Sequence, residues 1–342
     1  LGLISQKGLS QIIREQIDSP IAKTLAVVLI ISAVVIGNAA YEAGNIGGGT
    51  LGLEAIFGEA NVSYYPFIIG ILAFVLLYLG SYKVLEKVFV FLVVVMSLSF
   101  VLTAAITKPN ILEVLEGLLV PTVPDDSILT IIALVGTTVV PYNLFLHASL
   151  VSEKWKSTGD LKAARRDTFI ALILGGLVSI CIIISASAIG NIEVKSVMDM
   201  TKGLEPLYGA SAKYFMGIGL FAAGITSAIT APLAAAYVAN SCFGWKADLK
   251  NIKFRLVWMF ILGLGVFFLS FGIKPIEIIK FAQIANGILL PVIAIFLLWV
   301  VNRVSVMGKY RNTKFQNIVG IIILALSILL GAKSILKVFG LL

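Results

Sequence analysis

The chain has 342 residues, 59% of them hydrophobic and only 13% charged, a balance that excludes a soluble globular domain. Its net charge of +8 comes from Lys and Arg in short connections between apolar runs rather than from a basic stripe, which argues against a nucleic-acid partner. Hydrocarbon offers no partners for N–H and C=O groups, so the chain must cross it as helices or as a closed barrel, and the length of the apolar runs selects helices.

Nine runs reach the roughly 20 apolar residues that a bilayer demands. They lie at 24–44, 65–81, 86–107, 127–152, 167–190, 211–240, 254–272, 277–301 and 316–339. The first two are joined by Gly47-Gly48-Gly49, whose local propensity predicts an irregular turn outside the membrane. Glu42 then falls near the outer end of the first run. An ionisable side chain inside a span is costly, which makes Glu42 a functional candidate; the competing reading is a carboxylate facing the outer headgroups.

Run 127–152 reads SILTIIALVGTTVVPYNLFLHASLVS. Pro141 lacks an N–H, and its ring crowds the carbonyl one turn earlier, near Thr137, so the helix is expected to kink or break there. Freed carbonyls at membrane depth are tolerated where they are buried or line a wet cavity, and there they become natural cation ligands. Thr137, Thr138, Tyr142, Asn143 and His147 place polar groups beside the break. A plain proline kink satisfied by threonine hydroxyls is the alternative. His147, the only histidine, has an ordinary pKa suited to a proton relay, or else is a buried neutral imidazole joining two helix turns.

In run 211–240 the small residues from Ala222-Ala223-Gly224 to Ala234-Ala235-Ala236 are expected to permit close helix packing, with Thr226, Ser227 and Thr230 as weaker cavity candidates. Run 277–301 carries Gln283 and Asn286 one turn apart on one face, as cation ligands or as interhelical hydrogen-bond partners.

Counting Lys and Arg in alternate connections puts 18 of 26 on one side, the side of residue 1, which is therefore expected in the cytoplasm with the carboxyl terminus outside. All four tryptophans, Trp155, Trp245, Trp258 and Trp299, fall near those same ends. Cys181 and Cys242 lie at different expected depths, which argues against a disulfide framework. No G-x-x-x-x-G-K-[ST] motif occurs, so energy would come from ion gradients; no H-E-x-x-H or nucleophile motif supports an enzyme, and no ring-forming filter supports a channel. An inverted-repeat transporter of amino acids remains a competitor, because it shares the physics of a broken helix.

GTTVVPYNLFLHASLV resembles the sixth transmembrane helix of the Nramp metal transporters, and the likeness extends along the chain. LEPLYG at 204–209, followed by GLFAAGITSAITAPLAAAYVANSCFGW, looks like the family's connection into helix eight and that helix itself. AQIANGILLP at 282–291 is similar to helix ten, and LGLISQKGLSQIIRE to the connection between helices two and three. The resemblance implies a single all-α transmembrane domain over 1–342 with LeuT-like inverted repeats, equivalent to helices three to eleven of eleven. Residues 1–107 would be the remainder of the first repeat, 127–301 the second repeat and 316–339 an extra helix. The family's D-P-G-x-N motif of helix one does not occur in these residues, so the sequence is expected to be a fragment.

The same resemblance implies a monomeric, proton-coupled secondary transporter in a prokaryotic plasma membrane, working by alternating access, with a divalent metal ion as transported substrate and no cofactor. The backbone carbonyl of Thr137 and the side chains of Asn143 and Gln283 would ligate the ion, with Thr138, Pro141, Tyr142 and Asn286 along its path. The family's helix-six methionine is Val140 here and its first histidine is Tyr142. Loss of a soft sulfur ligand implies weaker discrimination against hard cations, with Mg²⁺ as a candidate substrate beside Mn²⁺ and Fe²⁺. Glu42 matches an Asp on the family's proton route and Asn45 a Glu; His147 completes the implied proton pathway.

Overall fold

The computed structural model describes residues 1–79, 82–120, 122–124, 127–138, 140–187, 196–199, 201, 208–245, 248–272 and 275–338. Every regular element among them is helical, and each of the nine apolar runs contains a helix or a broken pair. Two short helices come first, α1 (Gly2–Ser5) and α2 (Leu9–Gln16); α2 buries Leu9, Ile12 and Ile13 along one stripe.

Helix α3 (Pro20–Phe57) corrects two expectations. Ser19 caps its start by accepting from the Ala22 N–H, Pro20 supplies a pre-set first residue, and Gly58 at φ 84° ends it, donating its N–H to the Glu54 carbonyl. Between those signals the 38 residues run unbroken through Gly47-Gly48-Gly49, so the glycines form no turn. At 1.5 Å per residue the helix is roughly 57 Å long, well beyond a hydrocarbon core of roughly 30 Å.

The glycines have a packing role instead. Helix α3 makes its most extensive contact with the small-residue helix α10 (Ala212–Phe243). A Cβ on Gly224 would collide with the backbone of Gly49, and one on Gly52 with the backbone of Phe221. Only hydrogen at these positions lets the two main chains approach, the usual basis of close packing in a membrane. Inside α10, Pro232 interrupts the hydrogen-bond ladder, and the buried Asn38 of α3 donates to the neighbouring Ala231 carbonyl at 2.9 Å. Gly244, in the left-handed conformation at φ 71°, terminates α10, where Arg14 of α2 donates to the Cys242 carbonyl at 3.1 Å.

Around this pair stand α4 (Tyr65–Leu79), α5 (Tyr82–Ile106), α9 (Leu161–Ser187), α11 (Ile252–Leu269), α12 (Pro275–Val301) and α14 (Lys314–Val338). Their outward faces expose large apolar side chains such as Phe91, Leu172 and Ile321, as expected where the solvent is lipid. A 118° bend after Ile106 leads into α6 (Ile111–Leu119), whose leucines are exposed and whose start is capped by Asn110.

By length and composition five of the described helices are able to cross a membrane, or seven if each of two sharply bent pairs is one span. The two remaining runs explain the difference from nine. Run 127–152 is divided into α7 (Ile128–Thr138) and α8 (Pro141–Lys154), each too short to span alone. Among the described residues the apolar part of α14 covers only Lys314–Leu329.

Candidate functional site

Pro141 opens a helix rather than bending one. Helix α7 ends at Thr138, Val140 is extended at φ −72° and ψ 124°, and Pro141 is the first residue of α8, where a missing N–H costs nothing. The Val140 carbonyl accepts from the Asn143 N–H at 3.0 Å. Val139 and the side chains of Thr137, Thr138, Pro141, Gln283 and Asn286 lie outside the described residues, as do residues 204–207 of the LEPLYG segment.

Helix α8 has two unlike faces. Val140, Tyr142 and Leu146 are buried in one apolar cluster with Ala43 and Ile46 of α3 and Ile225 and Ile229 of α10. Asn143 and His147, one turn apart, are exposed. His147 thus shares a face with Asn143, turned away from the apolar cluster of α3 and α10. At the far end of α8 the Tyr237 hydroxyl donates to Glu153 at 3.2 Å and ties the helix to α10.

Glu42 is fully buried in the middle of α3, which removes the reading of a headgroup-facing carboxylate. Its Oε2 accepts from the Asn45 side-chain amide at 3.2 Å, while Oε1 has no hydrogen-bond partner among the described residues. Space for it is made by α11, where Gly265 faces its side chain. The Tyr41 ring meets the Tyr142 ring edge-on, with centroids 6.0 Å apart. A carboxyl and an amide of α3 are thus paired in the bundle interior, and Tyr41, the residue before Glu42, touches Tyr142, the second residue of α8 after the helix break.

Asn38, Tyr41 and Gly265 were not among the expected site residues. Asn38, Tyr41, Glu42 and Asn45 follow the i, i+3, i+4, i+7 spacing of one helix face, and that polar stripe inside an apolar run is the signal that identifies them. Gly265 carries no such signal, since its role depends on which helix lies opposite. Among the described residues no three His, Cys, Asp or Glu side chains converge as a metal cluster; the expected ligands are a carbonyl and amides.

The family described as natural resistance-associated macrophage protein-like, Nramp, matches residues 1–337. The divalent metal cation transporter MntH of Caldanaerobacter subterraneus subsp. tengcongensis is 27% identical over 297 residues, which are 83% of this chain and 69% of that protein. MntH of Klebsiella pneumoniae strain 342 is 24% identical over 97% of this chain and 80% of its own length. A metal transporter nramp1 homolog of Dictyostelium discoideum is 26% identical over 96% of this chain and 64% of its own. The solved structure of a variant of the Eremococcus coleocola manganese transporter superposes with a TM-score of 0.79 at 18% identity, covering 99% of this chain and 77% of that one, and shows the same fold. With a family match that runs over nearly its whole length, the chain belongs to the Nramp family.

Proposed function

We propose that the chain transports divalent metal cations across a prokaryotic plasma membrane by alternating access, coupled to protons. The observation that carries this reading is Glu42, a carboxyl enclosed within the helix that packs on the broken one, with one oxygen held by Asn45 and the other without a hydrogen-bond partner among the described residues. Intramembrane carboxyls of this kind mark proton relays, and broken helices mark ion sites. The names of the MntH relatives and of the Dictyostelium homolog support a metal as the substrate.

In this reading the Thr137 carbonyl, Asn143 and Gln283 ligate the ion, Thr138, Tyr142 and Asn286 line its route, and Glu42, Asn45 and His147 carry protons. Residues 1–107 and 127–301 belong to the two inverted repeats and 316–339 stands outside them. The monomer has residue 1 in the cytoplasm, an orientation supported by the asymmetry of its Lys and Arg residues. Because Val140 offers no sulfur, Mg²⁺ competes with Mn²⁺.

The test is uptake by the intact protein in proteoliposomes loaded with a metal-sensitive dye. Mn²⁺ entry that quickens when the outside is acidified, and that excess Mg²⁺ slows, is the expected result. Absence of any divalent flux, with labelled amino acids entering instead, overturns the proposal.

A further inference from the structure

The end of α12 carries a second site, unconnected with the helix break. A groove of about 570 Å³ opens between α12 and α14, lined by Ile295, Leu298, Trp299, Asn302, Arg303 and Leu324. Its two ends differ in chemistry. Ile295, Leu298 and Leu324 make an apolar wall of the kind that accepts a hydrocarbon chain. At the mouth the Arg303 guanidinium lies over the Trp299 ring, 4.6 Å from its centroid.

Beside Arg303 the two helices are locked by amides. Asn302 donates to Asn317 at 2.8 Å and Asn317 donates back at 2.7 Å, while Asn312 also donates to Asn317 at 3.1 Å. This reciprocal pairing makes the mouth of the groove a built feature, held by both helices at once. The chain then turns by 67° into residues Val304–Tyr310, leaving the direction of α12.

The connection that forms this mouth carries charge of one sign. From Ile278 to Leu342 the sequence contains no Asp or Glu, yet Arg303, Lys309, Arg311 and Lys314 crowd into 303–314, and all four are exposed. None of the four forms an ion pair among the described residues, where the only pairs join Lys7 to Glu15 and Lys154 to Asp167. An arginine at the mouth, with further basic residues in the same connection, above an apolar slot between two membrane helices, is complementary to a molecule with a negative head and a hydrocarbon tail.

We propose that the groove between α12 and α14 is a binding site for an anionic phospholipid, its phosphate held by Arg303 and the neighbouring basic residues and its acyl chain lying along Ile295, Leu298 and Leu324. A free phosphate has no use for the apolar wall. A zwitterionic lipid brings its own cation, which like charges at Arg303 and its neighbours repel. Basic pockets between membrane helices recognise anionic headgroups on the same terms.

Native mass spectrometry of the intact, delipidated protein, titrated separately with phosphatidylglycerol and phosphatidylcholine, tests this. The expected result is tighter binding of phosphatidylglycerol, weakened about fivefold by Arg303→Gln, the weight of one basic residue at an anionic surface. Phosphatidylcholine binding by that variant should not change. Leu324→Trp, which fills the slot and leaves every charge in place, should also release phosphatidylglycerol while the melting temperature in zwitterionic nanodiscs stays that of the parent. Equal affinity for the two lipids, or undiminished phosphatidylglycerol binding in the Arg303→Gln, Leu324→Trp double variant, overturns the proposal. Displacement of the lipid by inorganic phosphate overturns it too, in favour of a simple anion site. Because the readout is lipid occupancy, the outcome does not depend on whether the protein moves metals.

Discussion

Gly265 of α11 is the wall against which Glu42 is packed: a Cβ built at Gly265 would lie 2.5 Å from Glu42 Cγ and 3.0 Å from the Glu42 carbonyl carbon. The carboxyl therefore keeps its position only while residue 265 has no side chain. Gly265→Ala should push Glu42 out of its contact with Asn45 and cost about 1–3 kcal/mol through overpacking. Purified variant and parent should differ in melting temperature, and the variant should lose acid-stimulated uptake. A variant that keeps both properties would show that Glu42 does not depend on this contact.

Glu42→Gln separates the proton from the shape. The amide oxygen still accepts from Asn45, and the side-chain volume is nearly unchanged, so the variant should fold like the parent, as a melting curve would show. What disappears is the group that gains and loses a proton. Uptake in proteoliposomes should no longer respond to an inward proton gradient, whereas metal binding measured by calorimetry should persist. An unaltered response to the gradient would remove Glu42 from the proton route.

The glycines of the α3–α10 seam give a graded prediction. A Cβ on Gly224 meets main chain, the Gly49 N–H and the Asn45 carbonyl, which cannot swing aside as a side chain can. Gly224→Ala should therefore be more damaging than Gly265→Ala and should lower expression as well as melting temperature. Gly263, on the same helix as Gly265, has nothing within 4 Å of its Cβ position. Gly263→Ala should be neutral or stabilise by about 0.5–1 kcal/mol, since it only removes backbone freedom from a helix interior. Equal melting temperatures for the Gly224 and Gly263 variants would contradict the seam.

These positions also show how far the sequence is legible. Run length alone locates the helices, because the bilayer sets a minimum that few soluble elements reach, and Pro141 marks the break, because a missing N–H is a local property. Gly47-Gly48-Gly49 is different. Local propensity favours a turn there, and the helix persists because hydrocarbon penalises an open backbone and α10 rewards the absence of side chains. With the helix end placed too early, Glu42 reads as near the surface, although it is buried at mid-helix. Tyr41 and Tyr142 are 101 residues apart in no readable pattern, and only the packing of α8 on α3 joins them.

Val140 offers the most direct test of ion selectivity. It is the residue at the break itself, buried to 7% exposure in the cluster shared with α3 and α10, at the position where the resemblance of the sequence to the family's sixth helix implies a methionine thioether. A soft sulfur raises affinity for Mn²⁺ and Cd²⁺ over hard Mg²⁺, whose preferred ligands are oxygens. Val140→Met should thus raise the Mn²⁺ to Mg²⁺ uptake ratio in proteoliposomes. The larger side chain also changes packing, and Val140→Leu controls for that by adding bulk without sulfur. If the ratio rises with Met and not with Leu, residue 140 reaches the ion through its side chain; if both variants shift it alike, or neither does, the effect is one of volume and Val140 is part of the apolar core alone.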